Sequence, residues 1–171
     1  MIDKRETNRL IAKILTRFPL LVKLFTGFYN PEESEGIPWT PVKKELHVST
    51  IAVVTTAGIH HKTQKHFDMT DRNGDPTFRE IDISKPLSDL MITHDYYDHA
   101  DADKDINIVF PVDRLREFEK EGIIGRLSER HYGFMGHIMG PHIETLIKIT
   151  APDIAKRLKA DGVDITLLTP G

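Results

Sequence analysis

Ile51-Ala52-Val53-Val54-Thr55, followed at once by Thr56-Ala57-Gly58, decides the fold. A short β-branched apolar run has no polar side to turn toward water, so it reads as a strand covered on both faces, the pattern of α/β sheets. Ligands of such sheets collect beyond the carboxyl ends of the strands, which makes Thr56-Ala57-Gly58 the first loop to search for function. Asp105-Ile106-Asn107-Ile108-Val109-Phe110 and residues 163–168 read as further strands, and Phe78 opens a weak edge strand reaching Ile83. Segments 51–55, 106–110 and 164–168 are expected to share one sheet.

Outward from these runs the spacing turns helical. Pro111 with Val112, Leu115 and Phe118 opens an amphipathic helix ending near Gly122. Thr150-Ala151-Pro152-Asp153 resembles a capping box leading into Ile154, Ala155 and Leu158, with Gly162 as the stop. Arg72-Asn73-Gly74-Asp75-Pro76 is a turn. Strands alternating with helices predict an α/β fold: a three-layer, mostly parallel sheet with flanking helices and an N-terminal helical segment.

That N-terminal segment, residues 1–30, carries Leu10, Ile11, Ile14, Leu15 and Phe18 at helical spacing, with Lys4, Arg5, Lys13 and Arg17 among the polar positions. Pro19 should kink or divide it, and the following Leu20, Leu21, Val22, Leu24 and Phe25 suit burial under the core or against a partner. Lys23 interrupts the apolar stretch and no small-residue cleavage site follows, so neither a signal peptide nor a membrane span is expected. Residues 31–48 form an acidic, proline-bearing connector, and 49–171 the α/β domain, expected to be incomplete at its C-terminal end.

The 171 residues suffice for one core. A net charge of −3 without a basic stripe argues against nucleic acid. The absence of cysteine excludes disulfides and a cysteine nucleophile within these residues, and is compatible with a cytoplasmic setting.

The nine histidines fall unevenly, with His60-His61 and His66, then His94 and His99, then His131, His137 and His142 as the groups that matter. His94-Asp95-Tyr96-Tyr97-Asp98-His99-Ala100-Asp101-Ala102-Asp103 is dense in metal-ligand types yet matches no established zinc spacing, so a divalent metal and a polar, internally bonded loop both remain open. Arg130-His131-Tyr132-Gly133-Phe134-Met135-Gly136-His137 joins a guanidinium suited to a carboxylate, two imidazoles and flexible glycines. It reads equally as an aromatic loop packed into the core, and Gly58 and Gly74 also serve as turn residues.

Four strings are uncommon in combination: Val53-Val54-Thr55-Thr56-Ala57-Gly58 with His60, Gly74-Asp75-Pro76-Thr77-Phe78-Arg79, Asp103-Lys104-Asp105-Ile106-Asn107 with Pro111, and Arg130 to His137. In this order, over about residues 39–171, they resemble the selenoprotein B family of glycine, sarcosine, betaine and D-proline reductases, nearer the compact D-proline type. The resemblance implies reductive cleavage of a C–N bond in a small amino acid by a selenocysteine or cysteine with nearby thiols. It further implies other reductase subunits as partners, an oligomer, and no separate cofactor. A redox motif is expected directly after the terminal strand, with selenocysteine immediately following Gly171, so these residues alone are expected to be inactive. On that reading His60, His94, His131 and His137 are candidate proton donors to the departing amine, and Arg130, Gly58 and Gly136 candidate substrate-binding residues. A non-catalytic assembly or small-molecule-binding module is the alternative, and a metal-dependent hydrolase on the His94 to Asp103 cluster a further one.

Overall fold

The computed structural model describes residues 4–18, 36 and 40–171. Strand β1 (Thr50–Thr55) is the spine of the sheet and is buried along nearly its whole length. Its alternation sorts two cores. Ile51 and Val53 join Val112 and Leu115, whereas Ala52 and Val54 join Ile154 and Leu158. Each fully buried aliphatic side chain of this kind contributes about 1.5–3 kcal/mol, so a strand apolar on both sides is held by helices on both sides.

Six further strands are described besides β1. In the main sheet, β3 (Arg79–Asp82), β5 (Arg126–Leu127), β6 (Arg130–Gly133) and β7 (Ile165–Thr169) assemble with it, while β2 (Ile59–His61) and β4 (Leu90–Ile92) form a separate antiparallel pair. β7 runs parallel to β1 from Ile51↔Ile165 to Thr55↔Thr169. On the other side β5 pairs with Thr50 and Ile51, and β6 with Val54 and Thr55, both parallel, so the register advances by two residues across Ser128 and Glu129. β3 lies antiparallel on the outer edge of β6. The sheet is therefore mixed, of α/β class, with parallel strands at its centre.

Residues 106–110 are not a strand. Ile106–Ile108 make a 3₁₀ turn, because the Asp105 carboxylate accepts the Asn107 N–H at 3.0 Å and the Asn107 amide bridges to Asp113. Side chains that bond their own backbone compete with a sheet ladder. The segment instead ends the sheet: the Val109 carbonyl accepts hydroxyl bonds from Thr55 and Thr169 at 3.0 and 2.8 Å. Helix α2 (Val112–Lys120) follows Pro111 and stops before Gly122.

The expected helix cap at Thr150 is also displaced. Helix α3 (Pro141–Thr145) runs through a π turn (Leu146–Thr150) into α4 (Ala151–Ala160), with Thr150 itself helical and making no cap. Pro152 has no N–H to complete the ladder, and a wider π turn absorbs that defect. Near the N-terminus, α1 (Lys4–Arg17) is helical as the spacing requires. The expectations for Pro19 and the apolar run after it, and for most of the acidic connector, lie outside the described residues.

Candidate functional site

The carboxyl ends of β1 and β7 meet. Thr56 N–H donates to the Thr169 carbonyl at 2.9 Å, and Gly171 N–H to the Thr56 hydroxyl at 3.2 Å. The backbones there are so close that a Cβ on Gly171 would lie 2.5 Å from the Ala57 Cα.

His94 arrives at this point by a route the sequence did not disclose. β4 is not parallel to β1 but antiparallel to β2, with Ile59 opposite Ile92. Since β2 starts just after the loop that leaves β1, the end of β4 returns to that loop. Thr93 N–H donates to the Gly58 carbonyl at 2.9 Å, and a side chain on Gly58 would strike the Thr93 carbonyl and the His94 Cβ. Gly136 closes the other side. A Cβ there would stand 2.5 Å from the Thr56 carbonyl and 3.4 Å from His94 Nε2.

Within this niche His94 is buried, and its Nδ1 accepts the Tyr96 N–H at 3.1 Å. The neutral ring thus carries its proton on Nε2, the nitrogen nearest Gly136. Burial pushes its pKa down to about 4, aided by His137 and His99 and opposed by Asp95. An imidazole neutral at physiological pH is suited to donating a hydrogen bond rather than a proton. His137 lies alongside, half-buried, its ring stacked on Tyr96 at 4.1 Å. Tyr97 packs edge-on to His94 at 4.7 Å and donates its hydroxyl to the Ala57 carbonyl at 3.0 Å.

The other candidates stand apart. His60 is fully buried, with Nδ1 at 2.9 Å from the His61 carbonyl and Nε2 at 2.8 Å from the Thr93 hydroxyl, so it braces the residue before His94 and has no ring nitrogen to spare. His131 is buried inside the sheet, its Nδ1 accepting the Val53 N–H at 2.8 Å, with its pKa pushed down to about 4 chiefly by burial. Arg130 forms a bidentate pair with Asp161, just beyond α4 and ahead of β7, with Glu80 3.8 Å away. It sits toward the amino-terminal side of the sheet and its fork is already occupied.

The acidic loop is not a metal cage. His99 bonds Asp103 at 2.8 Å, Asp101 takes Lys104 at 2.7 Å, and Asp95 turns away toward α1. Among the described residues no three His, Asp or Glu side chains are grouped to hold a metal ion. Hollows of about 520, 530 and 680 Å³ open beside Asp105, beside Asp75 and beside Asp164, and none of them is lined by His94 or Gly171.

Sequence reasoning also missed Asp95. Its side chain is 1% exposed and is held by Arg5 and Arg9 of α1, at 2.6 and 2.8 Å. No local pattern links residues so far apart in the chain.

A family model described as Glycine/sarcosine/betaine reductase selenoprotein B (GRDB) matches residues 1–171. The chain belongs to the selenoprotein B family. D-proline reductase subunit gamma of Acetoanaerobium sticklandii is 44% identical over 133 residues, which is 78% of this chain and 53% of that protein. Glycine reductase complex component B subunit gamma of Carboxydothermus hydrogenoformans is 36% identical over 170 residues, 97% of this chain and 37% of the relative. Sarcosine reductase complex component B subunit beta of Peptoclostridium acidaminophilum is 28% identical over 171 residues, 98% and 38%. This selenoprotein B family member thus spans about half the length, or less, of these curated relatives, which are named as subunits and components of reductase complexes. No solved structure matches it. No helix among the described residues is long and apolar enough to cross a membrane.

Proposed function

We propose that this chain supplies the amino-acid-binding part of a selenoprotein B-type reductase site, at the joined carboxyl ends of β1 and β7. The observation that carries the reading is the buried, neutral His94, whose Nε2 lies 3.4 Å from where a Cβ on Gly136 would stand, beside the Thr56 carbonyl. There it donates a hydrogen bond to the carboxylate of a small amino acid, glycine, sarcosine, betaine or D-proline in class. His137, stacked on Tyr96 and reached by solvent, delivers the proton that the departing amine takes up when the C–N bond is reduced. His60 supports His94 through Thr93.

The sequence contains no cysteine. The thiolate or selenolate of the reaction, which the family resemblance puts directly after the terminal strand, is therefore contributed by polypeptide other than these residues. Other reductase subunits are its partners, in the reducing cytoplasm where such thiol chemistry is sustained.

Nuclear magnetic resonance of the histidine rings tests the reading. Titration with each of the four amino acids is expected to move the His94 and His137 signals and leave His131 in place, and His94→Gln is expected to weaken binding about tenfold, the worth of one hydrogen bond to a charged group. Rings that respond to none of the four at saturating concentration overturn it.

A further inference from the structure

We infer that Arg5 and Arg9 are positioning residues for this site: by clamping the Asp95 carboxylate, the N-terminal helix fixes the orientation of His94 and Tyr96. The inference rests on the assignment of His94 to substrate binding and adds to it an element from the opposite end of the chain.

The geometry is a bracket with Asp95 at its middle. The guanidinium of Arg5 reaches its carboxylate through Nε at 2.6 Å and Nη2 at 3.2 Å, and Arg9 reaches it through Nε at 2.8 Å. The two arginines stand four residues apart on α1 and so share one helix face. Asp95 itself is buried, and these are the side chains that pair with it. The residue before it points Nε2 toward Gly136 and the residue after it stacks on His137, while the Tyr96 N–H to His94 Nδ1 bond ties the two together. A short stretch of backbone thus has its outer side chains in the site and its central one locked to α1.

Among the described residues, the attachment of α1 to Asp95 is ionic. Of the residues of α1, Ala12 is buried, whereas Leu10, Ile11 and Ile14 are exposed. A buried carboxylate stripped of its cations is costly, and the cost is relieved when it moves toward water or when a neighbouring ring takes up a positive charge. Movement carries His94 and Tyr96 with it, and a bare charge beside His94 favours the imidazolium. Both outcomes act on the ring that the site uses.

The test is the titration of His94 in the Arg5→Ala/Arg9→Ala variant, followed by ring resonances. The charged and titratable groups facing His94 are His137, His99, Asp95, Tyr96 and Tyr97, and none of them is substituted in that variant. The expected result is a rise of the His94 pKa by about one unit or more, as charge imbalance or solvation of a buried ring produces, with weaker amino-acid binding. Adding Asp95→Asn to the same variant removes the stranded charge and is expected to return His94 toward its original titration. A merely structural role for α1 lowers stability but leaves His94 titrating as before, and that result overturns the inference. If the double alanine variant does not fold, Arg5→Lys/Arg9→Lys keeps the charges and loses the forks; a His94 titration identical to the parent's overturns the inference there too. Failure of the parent chain to bind any amino acid sinks the reading of the site, whereas the His94 titration still decides the positioning role.

Discussion

His131 Nδ1 accepts the backbone N–H of Val53 at 2.8 Å, so an imidazole takes the place of a main-chain acceptor in the middle of the sheet. The cause is the two-residue advance between β5 and β6, which leaves Val53 without a carbonyl opposite. Replacing His131 with Leu keeps the bulk and strands that buried N–H. A loss of about 1–3 kcal/mol in urea unfolding is expected, with the His94 and His137 rings responding to amino acids as before.

Two rings share one pH signature. His94 and His131 each have a pKa pushed down to about 4 from the ordinary 6.5. Above pH 6.5 both are neutral folded and unfolded, and the stability they permit is fully present. As pH falls from 6.5 toward 4 the unfolded chain takes up protons that the folded chain refuses, so stability is lost; below about 4 the folded rings protonate too and this loss ends. Each ring accounts for about 3 kcal/mol across that window. Urea midpoints measured between pH 7.5 and 4.5 should fall steadily with acid, and a level profile contradicts the burial of these rings.

What the sequence disclosed follows from how local each cause was. β1 was legible because burial on both faces writes itself into consecutive apolar residues, and β7 carries the same apolar run although it leaves Leu167 and Leu168 exposed. Residues 106–110 carry the same apolar signature, yet Asp105 and Asn107 capture the backbone first, a competition that hydrophobic pattern does not register. Thr150 looked like a cap because its neighbours have the right types, whereas the helix had already begun at Pro141. Gly58, His94, Gly136 and His137 lie together through the β2–β4 hairpin pairing, whereas Arg130 and His131 of the same string stand apart, a division that residue type does not reveal. Asp95 was unreadable as a site determinant, since its cations lie 86 and 90 residues away.

Arg130 illustrates the same limit and yields a prediction. Its residue type suits a substrate carboxylate, but Asp161 already fills its fork. The pair is partly open to solvent, where such bridges contribute little. Arg130→Lys is therefore expected to lower the thermal midpoint only slightly and to leave amino-acid binding unchanged. Weakened binding, with His94 undisturbed, would restore Arg130 to the site.

Gly136 and Gly162 separate backbone strain from crowding. Both have positive φ, +85° and +71°, so alanine at either meets a comparable conformational penalty of about 1 kcal/mol. Nothing lies within 4 Å of a Cβ at Gly162, whereas at Gly136 the Cβ meets the Thr56 carbonyl at 2.5 Å, Thr56 Cβ at 3.2 Å and His94 Nε2 at 3.4 Å. Gly162→Ala should cost that backbone penalty and leave the His94 resonances where they are. Gly136→Ala should cost about 1–3 kcal/mol more, because main chain must move to admit the methyl group, and should displace the His94 signal and weaken amino-acid binding. Urea unfolding and ring spectra of the two variants, measured side by side, make the comparison. Equal losses of stability, with His94 unmoved in both, would mean that the gap at Gly136 is wide enough to accept a side chain and is too loose to orient a substrate against Nε2.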